Sequence, residues 1–250
     1  MPIYIDAVPT SGNIAERRTI VYETRVDPTV IKVAGEKIKN QLFTRFGFLK
    51  PKPGEIQFVS VDKYYEPYML ISGRYSLDYY RKCGYTVVVN KDVLEVILLG
   101  KKFDFNQQTR LSAATNKTAK LDGEERLKID NEASLILDKS GQDVKLEKLP
   151  SAPSEKNPQK TLAKFGVEEI APDTDLSIIR SRLVTRPTDI SRLVSEIFEV
   201  DERTVIYTPR FIVRFRNTKT GEERAVEFDG VTSEKLKETK IASQPELPAQ

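Results

Sequence analysis

The clearest apolar pattern in the sequence lies between residues 28 and 46. Apolar residues recur there at steps of three or four, which places them on one face of a helix: Ile31, Ala34, Ile38, Leu42 and Phe46. Asp27 is suited to cap this helix and Pro28 to its first position, while Gly47 is suited to end it. The pattern therefore predicts a helix over 28–46, preceded by a strand over 19–26.

Strand-like runs follow this helix. Residues rich in β-branched and aromatic side chains occur at 55–61, 68–75, 85–90 and 94–100. Short polar or glycine-containing links separate them, which is typical of an antiparallel meander. We expect the first part of the chain to form a module in the order strand, helix and several strands.

The middle of the chain is more polar. Residues 126–130 and 134–138 alternate well enough to form short strands, and the sequence KSGQ at 139–142 is typical of a hairpin turn. The segment 150–159, PSAPSEKNPQ, has the composition of a linker. The charged and polar tail is expected to be disordered.

The second half of the chain repeats the order of the first. Residues 176–187 are predicted to form a strand that ends before Pro187, as 18–28 do before Pro28, and 188–200 are predicted to form the second helix. Its apolar stripe is Ile190, Leu193, Val194 and Ile197. A strand over 202–216, a hairpin turn over 217–223 and a strand over 224–231 complete the comparison. These matches indicate an internal duplication, with chance similarity between two strand–helix–sheet units as the alternative.

Both halves contain a tyrosine two residues before a proline in a strand-like run. Pro67 follows Tyr65, and Pro209 follows Tyr207. Since proline cannot donate a hydrogen bond to a strand ladder, each is expected at a strand start, an edge or a bulge. We interpret these residues as architectural, with a ligand-binding role shared by both copies as the alternative.

Together these patterns predict an α+β fold of two related modules, each an antiparallel sheet packed by one amphipathic helix. The first module spans 1–103 and the second, shorter one 161–236. A β-hairpin insert and a Pro/Ser-rich linker occupy 104–160, and a disordered tail occupies 237–250.

The amino-acid composition excludes several classes of catalytic and metal site. The chain has 250 residues, no His, and a net charge of +3 from 40 Lys+Arg and 37 Asp+Glu. Catalysis by Ser-His-Asp or Cys-His groups and zinc sites of the Cys/His kind are excluded. Cys83 is the single cysteine, so an internal disulfide cannot form. With no leader pattern and no apolar run of about 20 residues, we expect a cytoplasmic protein without a membrane partner.

Seven of the ten tyrosines lie between residues 64 and 85, interleaved with Lys and Arg. Tyrosine and arginine are favoured in protein interfaces, and stacked aromatic rings beside cations also suit single-stranded nucleic acid. The candidate partner-binding residues are Tyr64, Tyr65, Tyr68, Arg74, Tyr79, Tyr80, Arg81 and Lys82. The alternative is that an antiparallel sheet simply favours tyrosine.

A resemblance accompanies these motifs. YYEPY with its following apolar strand, together with YTPRFIVRF, TGEE and DGVT, resembles uncharacterised conserved archaeal proteins of unknown activity. The resemblance implies no catalytic residues for this chain.

The sequence therefore favours a non-catalytic intracellular binding or scaffold protein. Its partner is expected to be another protein or a second copy of the chain, associating through sheet edges. A single-stranded nucleic-acid-binding protein is the second hypothesis, and an enzyme based on carboxylates is the third. No catalytic residue, cofactor or metal site is predicted, since neither GxxxxGK[ST] nor a GxGxxG after a strand occurs.

Overall fold

The structure is a computed structural model that describes residues 10–44, 49–103, 105–106, 117–167, 170 and 173–241. Within these ranges the chain is mostly sheet, with three α-helices. The helices are α1 (Pro28–Leu42), α2 (Pro158–Lys164) and α3 (Thr174–Leu183), and a single 3-10 turn spans Leu146–Lys148. No helix in these ranges has the length and apolar content needed to cross a membrane.

Ten strands are present in the described ranges. They are β1 (Thr10–Ile14), β2 (Arg18–Val21), β3 (Ile56–Val89), β4 (Val96–Leu98), β5 (Lys101–Phe103), β6 (Phe105–Asn106), β7 (Lys117–Asp138), β8 (Ile190–Asn217), β9 (Glu223–Asp229) and β10 (Lys235–Ile241). Eight form one large, mainly antiparallel sheet, six of them in the order β10-β9-β8-β3-β7-β6. Strands β1 and β2 pair in parallel with β8, and β4 and β5 form a separate hairpin.

The predicted fold of two helix-packed modules is wrong, and the strand lengths are one reason. The segments 55–61, 68–75 and 85–90 are not separate strands of a meander, because β3 runs through all three without a turn. Likewise, 126–130 and 134–138 both lie within β7. The polar residues between the predicted strands continue the alternation of inward and outward side chains instead of breaking the strand.

The second module was predicted with its elements exchanged. Residues 176–183 lie in helix α3, whereas 190–200 open strand β8. In α3 the buried residues follow a step of four along one helical face: Asp175, Ile179 and Leu183. In β8 the buried residues alternate as Glu196, Phe198 and Val200, which is the period of a strand. The internal duplication that rested on this segment therefore fails.

The described residues divide into two compact units. Unit 1 comprises 10–14, 180–200 and the described residues of 73–133, and unit 2 comprises the remaining described residues. Strands β3, β7 and β8 contribute residues to both. The buried residues of unit 1 include Tyr75, Leu77, Tyr79, Phe198 and Val200.

In unit 2 the core lies between α1 and the sheet. Ile31 and Leu42 of α1 are buried in a cluster with residues of β3, β8 and β9: Ile56, Phe211, Val213, Phe215, Val226 and Phe228. A side chain at Gly35 would come within 3.0 Å of Val213, so this glycine lets α1 lie close to β8. The predicted apolar stripe is confirmed as far as Leu42.

Several local predictions about chain ends and turns are confirmed. Asp27 accepts a hydrogen bond from Thr29 N at 2.7 Å, and Pro28 begins α1. Turns close at 139–142, where Asp138 N donates to Gln142 O at 2.9 Å, and between β8 and β9. Phe46 and Gly47 lie outside the described residues, as do residues 242–250 of the expected tail, whereas 237–241 belong to β10.

The residues interpreted as architectural lie in three settings. Pro67 is a buried residue inside β3, and Pro209 and Tyr207 are buried inside β8. Pro187 lies in the link between α3 and β8, so it does not end a strand. Pro28 is the first residue of α1.

Candidate partner-binding site

The eight predicted partner contacts all lie on β3, but they belong to two different units. Tyr64, Tyr65 and Tyr68 are part of unit 2. The residues of unit 1 are Arg74, Tyr79, Tyr80, Arg81 and Lys82.

Three of the predicted contacts are core residues. Tyr65, Tyr68 and Tyr79 are all buried. Tyr65 and Tyr79 point to the covered face of β3 with the other odd-numbered residues between them, because alternate residues of a strand share a face. Tyr68 is buried on the opposite face, where its hydroxyl accepts a hydrogen bond from Arg210. The ring of Tyr65 packs edge-on against Phe165 at 5.2 Å between centroids. These rings fill the interior and are not accessible to a partner.

Tyr80 lies on the outer face of unit 1 between two arginines. The guanidinium carbon of Arg192 is 4.1 Å from its ring centroid, and that of Arg126 is 5.9 Å away. Arg126 also makes two hydrogen bonds to Asp78, at 2.9 and 2.6 Å, and Arg192 lies 3.6 Å from Glu124. The cations around this ring are thus already paired with carboxylates.

Arg81 belongs to a second charged group of unit 1. Its Nε donates to Glu125 at 2.9 Å, and the Tyr85 hydroxyl donates to the same carboxylate at 2.6 Å. The hydrogen bonds from Tyr85 and Arg81 hold the pKa of Glu125 below its usual value. Arg74 is paired with Glu199 in the same way. Lys82 is exposed.

Unit 2 contains a buried charged network that the sequence analysis missed. Arg210 of β8 is 2% exposed and pairs with Asp229 at the end of β9. Its Nη2 donates to the Tyr68 hydroxyl at 3.0 Å, and its Nε lies 3.5 Å from Glu66. The only sequence signal is one charged residue inside an apolar run, at Arg210.

Burial also changes the ionisation of the tyrosines beside this network. Burial raises the pKa of Tyr68, although the charge of Arg210 opposes the shift. The pKa of Tyr64 is raised by burial and by the carboxylates of Glu66 and Glu227, the second of which accepts its hydroxyl hydrogen bond at 3.0 Å. Both phenols are therefore kept protonated well above neutral pH.

Asp229 connects the buried network to the surface. Its second carboxylate oxygen accepts hydrogen bonds from Val231 N at 2.7 Å and Thr232 N at 3.0 Å. These contacts form a turn at Asp229, within the segment 224–231 that was predicted as a strand. The turn leads to Ser233, whose N donates to Asp229 O at 3.0 Å and whose φ is +65°. Arg210 and Asp229 thus hold the link from β9 to β10 in place.

A groove of about 490 Å³ lies between α1 and this link, within unit 2. Its lining consists of Thr29, Val30, Val33, Ala34, Lys37, Ile38, Phe228, Ser233 and Lys235. Val30 is 53% exposed and Val33 51% exposed, although both lie on a helix whose opposite face packs in the core. Two residues of the lining carry a charge, and both are lysines, Lys37 and Lys235.

The groove had a partial signal in the sequence. Val30, Val33 and Lys37 recur at steps of three and four, beside the stripe that enters the core. Helix α1 therefore carries apolar side chains around more of its circumference than the sheet covers. Ser233 and Lys235 were not predicted as site residues, because they lie at the end of the predicted second module, 161–236, with no motif around them.

Among the described residues, no cluster of three or more Cys, Asp or Glu side chains is arranged to hold a metal ion. Comparison with protein-family models, curated proteins and solved structures finds no match to this chain.

Proposed function

We propose that this protein is a non-catalytic binding module that holds an amphipathic segment of another protein in the groove between α1 and the β9–β10 link. The observation that carries the proposal is the pair of half-exposed valines, Val30 and Val33, on one wall of a concave apolar site. A cytoplasmic location, drawn from the sequence alone, is part of the same proposal.

The lining defines the chemistry of the partner. Its apolar part is formed by Val30, Val33, Ala34, Ile38 and Phe228, which suits a segment with apolar residues at steps of three or four. No carboxylate lines the groove beside Lys37 and Lys235, although Lys235 is paired at 2.6 Å with Glu238, which lies outside the lining. We therefore expect Asp or Glu to flank the apolar residues of the partner.

The other two hypotheses from the sequence draw no support from the sites described. The arginines around Tyr80 are paired with carboxylates, which makes them less available to a phosphate backbone. The buried carboxylate Asp229 is engaged by an arginine and by two backbone amides, which suits a structural role.

Selection from a displayed library of amphipathic helical peptides tests the proposal. We expect selected peptides to combine paired apolar residues with Asp or Glu. Val33→Asp should raise their Kd at least about tenfold, because it places a carboxylate in the apolar wall. Lys37→Glu should also raise the Kd of the selected peptides, and the increase should be larger for peptides with more Asp and Glu residues.

Val194→Asp is the matched control, because Val194 is 46% exposed and lies in unit 1. It should leave the affinity unchanged. Failure to select any peptide, or equal binding to the Val33→Asp and wild-type proteins, would contradict the proposal.

A further inference from the structure

Exposed apolar side chains are concentrated in one short segment of unit 1. In the described part of the chain, fifteen large apolar side chains are exposed, and seven of them lie between residues 85 and 99. They are Tyr85, Val87, Val88, Leu94, Ile97, Leu98 and Leu99. Exposed apolar surface of this density is typical of an interface. This observation is independent of the groove in unit 2.

The first three of these residues lie at the end of β3, where one side of the strand has no partner strand among the described residues. β8 begins at Ile190, and the Ser191 hydroxyl donates to Tyr80 O at 3.0 Å, so β8 starts beside Tyr80. β3 continues to Val89. Its neighbours among the described strands are β8 and β7, so the edge of β3 beyond Tyr80 on the β8 side has no strand partner there.

This edge lacks the protection that another edge of the same sheet has. Edge strands commonly carry charged residues, lysine above all, which prevent a further strand from pairing. β10 fits this rule, since Lys235, Lys237 and Lys240 lie along it. The end of β3, from Gly84 to Val89, contains no charged residue.

We propose that the end of β3 pairs antiparallel with the same segment of a second copy of this chain, so that the protein forms a two-fold dimer. A two-fold interface uses the same patch on both copies, so the patch must be complementary to itself.

The direction of the backbone groups restricts the register. In a strand the N–H and C=O groups of one residue point to the same edge, and those of the next residue point to the opposite edge. The carbonyls of Glu66 and Tyr80 both accept side-chain hydrogen bonds from β8, so even-numbered residues face the β8 side. A two-fold pairing must therefore be centred on one residue, with even residues opposite even residues.

Two such pairings fall in the middle of the segment, one centred on Thr86 and one on Val87, and charge distinguishes between them. Centring on Thr86 would place Arg81 opposite Lys91 of the other copy, which is unfavourable. Centring on Val87 places Lys82 level with Asp92, Val87 against Val87 and Tyr85 against Val89. An aromatic ring opposite a β-branched side chain is a favourable cross-strand pair. The dimer is thus centred on Val87.

Sedimentation of the full chain over a range of concentrations tests the dimer. We expect the wild type to exchange between monomer and dimer, and Val87→Lys to raise the dimer Kd by more than about tenfold, because it places two lysines opposite each other. Val59→Lys is the matched control: Val59 also lies on β3 and is 44% exposed, against 38% for Val87. It should leave the dimer unchanged.

Two further variants test the register. Val88→Pro removes an N–H that faces the open edge, so the variant should fold normally and remain monomeric. Lys82→Glu should weaken the dimer, and Asp92→Lys in the same chain should restore it. A wild type that stays monomeric at every concentration overturns the proposal, even if the edge binds displayed peptides, since the partner would then be a different strand. Equal effects of Val87→Lys and Val59→Lys would also overturn it.

Discussion

The buried pair of Arg210 and Asp229 gives the sharpest prediction about stability. Replacing Asp229 by Ala leaves the guanidinium buried, with the Tyr68 hydroxyl at 3.0 Å and the Glu66 carboxylate at 3.5 Å as its remaining partners. Removing one member of a buried ion pair typically costs about 3–5 kcal/mol. We expect the free energy of unfolding to fall by this amount.

Two further variants separate the causes of this loss. Asp229→Asn keeps an oxygen for the turn amides at Val231 and Thr232, so it should cost less than the alanine variant by roughly 1 kcal/mol. Adding Arg210→Met to Asp229→Asn removes both charges. The double variant should be more stable than the sum of the single changes indicates, because no unpaired charge is left between these two positions.

Urea unfolding followed by circular dichroism measures these differences, provided that the dependence on urea concentration keeps the same slope in every variant. Glu238→Gln is the control, because it breaks the exposed pair of Glu238 with Lys235 in the same unit. Such pairs contribute about 1 kcal/mol or less. If Asp229→Ala costs no more than this control, our reasoning about the buried network is wrong.

Three other predictions concern packing and ionisation. Gly230→Ala should lower the free energy of unfolding by about 1–3 kcal/mol in a urea titration, because its new methyl carbon would lie 2.8 Å from a backbone oxygen of β8. Gly84→Ala, which meets nothing within 4 Å, should not. Tyr65→Phe should leave the free energy of unfolding unchanged or raise it, because the buried Tyr65 hydroxyl has no hydrogen-bond partner among the described residues. Tyr75→Phe should lower it by about 1–3 kcal/mol, because it removes the 2.8 Å hydrogen bond to the buried carboxylate of Glu196. Ultraviolet titration should show Tyr64 still protonated above pH 10, because its pKa in the folded state is raised. The contribution of this raised pKa to the free energy of unfolding should be lost as pH rises from 10.0 towards the pKa of Tyr64 in the folded state. Phenolate formation in all tyrosines near pH 10 while the fold persists would contradict this.

Features that depend on neighbouring residues could be predicted from the sequence. Helix α1 combines a capping aspartate, a proline at its first position and an apolar stripe, and all three signals act within a few residues of one another. The turn between β8 and β9 likewise follows from local composition. At both elements the distant contacts agree with the local preferences: α1 packs its apolar stripe on the sheet, and Thr218 N in the turn donates to Glu55 O.

The segment 188–200 shows why the rest of the fold could not be predicted. Its apolar residues at 190, 193, 194 and 197 fit a helical period, but Phe198 and Val200 also fit the alternation of a strand. Parallel pairing with β1 over Thr10–Ile14, together with the inward position of Glu196 and Phe198, decides for the strand. That pairing joins residues about 190 positions apart, so no local pattern contains it.

The candidate groove was hidden for a related reason. Its walls come from 29–38 and 228–235, which only the folded chain brings together. The tyrosine cluster, by contrast, is conspicuous in the sequence, yet most of its rings are buried side chains of the long strand β3. The high density of tyrosines in the sequence therefore indicated buried positions of the sheet. The exposed valines of α1, Val30 and Val33, form the better candidate binding site.

Pro209 connects the backbone of β8 to this groove. Tyr207 O accepts a hydrogen bond from Tyr22 N, and Pro209 O accepts one from Gly230 N, both at 2.9 Å, so this edge of β8 changes its partner between the two residues. Because the N–H and C=O of a strand residue face the same edge, the N–H that Pro209 lacks would point to this junction, where no ladder bond is lost. The next residue, Arg210, then reaches Asp229 and the turn that forms one wall of the groove. The proline thus occupies the position at which the sheet exchanges one strand for another, and the binding site is built directly beyond that exchange.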